Sequence, residues 1–129
     1  MAVDLDCYFR TASEGNLTAD GNSTILDLGQ GGTGIAGCVV WIRVPSITST
    51  DTLDVTVEHD DSSTIASVDH TETFPQITAA GHYRLRVYST RRYIRLAWNV
   101  TDVGGGGFSA GAVEAGLTFG AASVGGARP

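Results

Sequence analysis

The chain has 129 residues, a formal net charge of −6, 42% hydrophobic residues and 17% charged residues. That balance fits one ordered domain and excludes a disordered chain. The acidic excess argues against nucleic-acid binding, which needs a basic footprint, and no apolar run approaches the roughly 20 residues of a membrane-spanning helix.

Met1 to Asp6 carry neither the basic nor the apolar segment of a secretory signal, so the sequons at Asn16, Asn22 and Asn99 carry no weight. Without an export route, Cys7 and Cys38 are expected as reduced thiols. Extended segments separated by turn signals then follow along the chain. A weak one spans Leu5 to Thr11, and another spans Thr24 to Leu28 between Asp20-Gly21-Asn22 and a glycine-rich stretch. Cys38 to Val44 is closed by Pro45, which cannot donate to a ladder.

Leu53 to His59 alternates apolar Leu53, Val55 and Val57 with Asp54, Thr56 and Glu58. Asp60-Asp61-Ser62-Ser63 reads as a turn, and Ile65 to Val68, extending toward Thr73, as the returning strand. Phe74 to Gly81 reads as a connection with an apolar anchor.

Two alternating runs, Tyr83 to Tyr88 and Tyr93 to Val100, flank four turn residues and predict an antiparallel hairpin. One face would carry Tyr83, Leu85, Val87, Ile94, Leu96, Trp98 and Val100; the other would carry Arg84, Arg86, Tyr88, Tyr93 and Arg95. A symmetric turn at Ser89 to Arg92 would set Tyr88 opposite Tyr93 and Arg86 opposite Arg95, an unfavourable like-charge pairing unless anions intervene. After Gly104 to Gly107, read as a compliant loop, comes a last strand with Val113, Ala115, Leu117 and Phe119 on one face. No capped helical stripe is present. The expectation is an all-β, single-domain, jelly-roll-like sandwich of about eight antiparallel strands. Residues 1–24 would form an N-terminal arm and first weak strand, 25–119 the sandwich, and 120–129 a flexible C-terminal tail.

Catalytic and cofactor constellations are lacking. No Gly-x-Ser-x-Gly elbow occurs, and the glycine run is not followed by Gly-Lys-Ser/Thr. His59, His70 and His82 have no close metal-ligand spacing, although His59 and His70 can face each other across the Asp60 turn. They read as strand-end histidines, with no catalytic, cofactor or metal residue expected and no enzyme activity.

Surface contact is the remaining role. Every basic residue other than histidine is arginine, and Arg84, Arg86, Arg91, Arg92 and Arg95 fall in one segment. Arginine favours bidentate carboxylate pairing and aromatic stacking. These side chains pair either with Asp54, Glu58 or Glu114 within the chain, or with a partner. Trp41 either covers a second sheet or joins an interface. The interface candidates are Tyr88, Arg91, Arg92, Tyr93, Arg84, Arg86, Arg95 and Trp41.

Ile25-Leu26-Asp27-Leu28-Gly29, the stretch Asp54 to Ser62, Phe74-Pro75, Ile77 to Gly81, Arg92 to Leu96 and Phe108 to Leu117 together resemble tailed-bacteriophage capsid cement (head decoration) proteins. The likeness covers Ile25 to Phe119. It implies a jelly-roll-like protein made in the bacterial host cytoplasm and carried on the outer capsid surface of the virion. The partner would be the major capsid protein, with a homotrimer at three-fold or quasi-three-fold positions. Neither nucleic acid nor membrane is expected as a partner. Similar phrases occur in other phage modules, so the alternative is a tail or baseplate-associated β-sandwich, glycan-binding modules among them.

Overall fold

The computed structural model describes residues 7–29, 32–33, 37–48 and 50–119. The tail expected at 120–129 lies outside the described residues. Among the described residues there are nine strands: β1 (Tyr8–Arg10), β2 (Gly21–Asn22), β3 (Leu26–Asp27), β4 (Cys38–Val44), β5 (Thr52–Asp60), β6 (His70–Thr73), β7 (Gly81–Val87), β8 (Tyr93–Thr101) and β9 (Glu114–Phe119). Among the described residues, no helix is long and apolar enough to cross a membrane.

The strands make two antiparallel sheets, one ordered β1-β9-β4-β7 and the other β2-β8-β5-β6, with β3 also pairing β8. The chain changes sheet at every connection except β2–β3 and β5–β6. This interleaving gives the jelly-roll form of sandwich.

Alternation explains the core. Val40, Ile42 and Val44 of β4, Leu53, Val55 and Val57 of β5, and Ile94, Leu96 and Trp98 of β8 are all buried, while intervening residues face outward. From the segment expected to be an arm, β1 joins one sheet and β2 the other, and Phe9 and Leu17 enter the core. Residues Gly21 and Asn22, read as turn, instead pair with Trp98 and Ala97.

The predicted arginine hairpin does not form. β7 pairs with β4, whereas β8 pairs with β5 in the opposite sheet. Arg86 therefore opposes Val39 and Arg95 opposes Glu58, so the expected like-charge pair never meets. Period two specifies which side of a strand is apolar and leaves its neighbour undetermined, so five intervening residues serve a crossover as well as a turn.

The returning strand of the β5 hairpin starts at His70, later than expected. Ile65 to Val68 stay in the loop, where Ile65 is buried at a φ of 47° and Asp60 accepts the Ser67 N–H at 3.4 Å. Further on, Ile77 is the anchor of the next connection and exchanges backbone hydrogen bonds with Leu53.

Candidate functional site

Four strands lay out the outer face of the first sheet in rows. Arg43 on β4 opposes His82 on β7 and Glu114 on β9; Trp41 opposes Arg84 and Gly116; Val39 opposes Arg86 and Thr118. Tyr8 on β1 opposes Gly116 and meets Trp41 edge-on, with ring centroids 5.5 Å apart and planes at 87°. Gly116 makes this contact possible, because a Cβ there would lie 2.8 Å from Trp41 Cζ2 and 2.9 Å from the Cys7 carbonyl oxygen. The tryptophan is half-buried by its own face and does not cover the second sheet.

His82, Arg84 and Arg86 are exposed. Glu114, 3.4 Å from Arg43, is the sole carboxylate at the paired positions of this face among the described residues. Three arginines, a histidine and two aromatic rings thus share one face. Such a surface suits contact with an acidic, partly apolar partner.

The outer face of the second sheet has the opposite character. It carries Asp54, Glu58 and Asp60 from β5, Thr71 and Thr73 from β6, and Asp27 from β3. Arg91, Arg92 and Arg95 form ion pairs with carboxylates on or beside it. Arg95 pairs with its cross-strand neighbour Glu58 at 2.7 Å, both side chains mostly covered. Arg92 grips Asp27 through Nε and Nη2 at 2.8 and 2.9 Å and sits 5.3 Å over the Tyr93 ring. That fork holds the Asp27 carboxyl at about 2, below its ordinary 3.8, with the Gly29 N–H assisting. Arg91, in the crossover, pairs with Asp69.

The eight sequence candidates therefore separate. Trp41, Arg84 and Arg86 share the basic face; Arg92, Tyr93 and Arg95 belong to the acidic one. Tyr88 and Arg91 lie between sheets, Tyr88 being 52% exposed. Tyr8, Arg43 and His82, outside the eight candidates, share this surface: alternation along β4 already puts Arg43 beside Trp41 on the outer side, while the β1-β9-β4-β7 order brings in Tyr8 and His82. Of the suggested carboxylate partners, Glu58 takes Arg95, Glu114 takes Arg43 instead of the clustered arginines, and Asp54 accepts Gln76.

A histidine pair lies at the edge of the second sheet. His59 and His70 are direct cross-strand partners with ring centroids 5.1 Å apart, and Glu72 reaches both. Burial lowers the affinity of His59 for a proton, against the pull of Glu72. Neither Cys7 nor Cys38 is in a disulfide, and burial pushes the Cys38 thiol up to about 12, with Glu72 adding to the effect. Cys38 is therefore an inert core residue.

The chain matches no protein-family model and no curated protein.

Proposed function

We propose that this chain is a non-enzymatic bacteriophage head decoration protein that binds the outer surface of the assembled capsid and stabilises it by protein–protein contact. The observation that carries the reading is the arginine-aromatic outer face of the first sheet, set on a protein of net charge −6. Strand phrases resembling cement proteins support it from the sequence. Two of those phrases, Asp54 to Ser62 and Arg92 to Leu96, supply paired strands at the centre of the second sheet. On this reading they build the scaffold, while contact falls to Trp41, Arg84 and Arg86 on the other face.

Arg84 and Arg86 would meet carboxylates of the major capsid protein, and the Tyr8–Trp41 pair would supply the apolar anchor. The acidic opposite face would point to solvent and keep decorated particles apart. Trimeric presentation at three-fold or quasi-three-fold positions would multiply a modest single contact by avidity.

The test mixes purified chain with undecorated tailed particles and images them by electron microscopy. Stoichiometric density over the outer shell is expected, lost in the R84E/R86E double variant with unchanged circular dichroism. Attachment confined to the tail would overturn the reading in favour of a tail module.

A further inference from the structure

The inner side of β5 runs Leu53, Val55, Val57, His59, all fully buried. A fourth aliphatic side chain would continue this row; an imidazole stands there instead. The register sets His59 opposite His70 and Val57 opposite Glu72, so all three polar side chains fall on the same side of the β5–β6 hairpin. Their exposure is graded outward, with side chains 0% exposed for His59, 21% for Glu72 and 44% for His70.

Glu72 Oε1 lies 2.8 Å from His59 Nε2 and 3.7 Å from His70 Nε2. One ligand atom from each residue lies within 4.8 Å of the other two. His59 Nδ1 has a second distinction: it is buried without any hydrogen-bond partner. A buried histidine serving only the packing normally satisfies both ring nitrogens. Here the ring is held from one end alone, the end that faces Glu72.

We propose that His59, His70 and Glu72 form a binding site for a divalent transition-metal ion of the zinc type. Two imidazoles and one carboxylate match such an ion, whereas calcium and magnesium favour all-oxygen sets. Zinc bonds of about 2.0–2.1 Å place tetrahedral ligands about 3.3 Å apart, a value bracketed by the two observed separations. The ion takes the place of the proton between His59 Nε2 and Glu72 Oε1; that proton moves to Nδ1, so His59 binds as a neutral imidazole. The fourth position faces the rim at His70, where water completes the shell. Arg91, whose charge bears on His59, is already paired with Asp69, whose backbone N–H bonds the His59 carbonyl.

Glu72 also accepts the Tyr88 N–H through Oε2 at 3.1 Å. The bound ion therefore ties edge strand β6 to β5 and, through Glu72, to the end of β7 in the other sheet. It acts as a clasp across the sandwich edge. This inference concerns the isolated chain and stands apart from any capsid contact.

The experiment titrates ZnCl2 into the full chain, stripped with chelator and kept reduced, by calorimetry and thermal melting. One saturable ion per chain and a raised Tm are expected, with H70A and E72Q each weakening affinity at least about tenfold. H82A, on the far face of the first sheet, should bind as wild type. H59V should fold and lose the ion; if it does not fold, the exposed H70A alone decides. Absence of saturable micromolar binding, or binding that survives H70A, overturns the site.

Discussion

Asp27 and Arg92 meet on the surface, yet their contact leaves a measurable trace because the carboxylate titrates differently when the chain unfolds. In the folded protein its value is about 2, against 3.8 ordinarily. A depressed carboxylate value means that the unfolded chain takes up the proton first. The stabilisation is whole above about pH 4 and is lost as pH falls toward 2. The Tm difference between wild type and D27N should therefore be constant from about pH 5 to 8 and shrink between pH 4 and 2. It should also shrink in high salt, since the pair is exposed. A difference that stays the same at pH 2 and pH 6 would show that the fork contributes nothing to stability. Arg95 and Glu58, more covered and in direct register, belong to the sheet itself.

At the scale of strands, the close layering of β1, β9 and β4 depends on the missing side chain at Gly116. An added methyl would meet Trp41 on one side and the Cys7 carbonyl on the other. G116A should cost about 1–3 kcal/mol, as overpacking does, read as a fall in denaturant midpoint without a change in slope. Removing the indole as well should return part of that loss, because the two sites share one contact. An additive G116A/W41A cycle would place the strain at the Cys7 carbonyl alone. This pairing also marks how far the sequence could be read. Strands β4, β5, β8 and β9 were legible because each buries alternate aliphatic residues. The two-residue strand β2 was not, since its pairing depends on β8 rather than on its own pattern, whereas β3 falls inside the segment expected from Thr24 to Leu28. Tyr83 to Val100 gave the right faces and the wrong partner, because alternation carries no information on which sheet a strand joins. The outer-face surface was legible in part: Trp41, Arg43, Arg84, Arg86 and Tyr8 were marked by type, and alternation put Arg43 on the side of Trp41, whereas His82 and the meeting of β1 with β4 across β9 required strand order. Glu72 drew no attention because its meeting with His59 depends on a hairpin register that only the structure fixes.

For the molecule as a whole, the order of the sheets dictates how it must fold. β1 pairs with β9 across nearly the full chain, and β4 lies between β7 and β9 with no sequential neighbour beside it. Of the longer pairings, only the β5–β6 hairpin joins consecutive strands. Most loop-closure entropy is therefore spent before distant strands gain their contacts, which slows folding to the range of about milliseconds to seconds. The two tryptophans report on different parts of this process. Trp98 is in the core with Val55 opposite it, while Trp41 lies on the outer face against Tyr8. In stopped-flow refolding, a W41F variant should show the Trp98 signal rising in one slow phase together with the circular dichroism. Coincidence is expected because neither sheet can bury its inner face without the other. A Trp98 phase completed within microseconds, before the dichroism changes, would mean that β8 finds its core position locally, and the argument from strand order would fail.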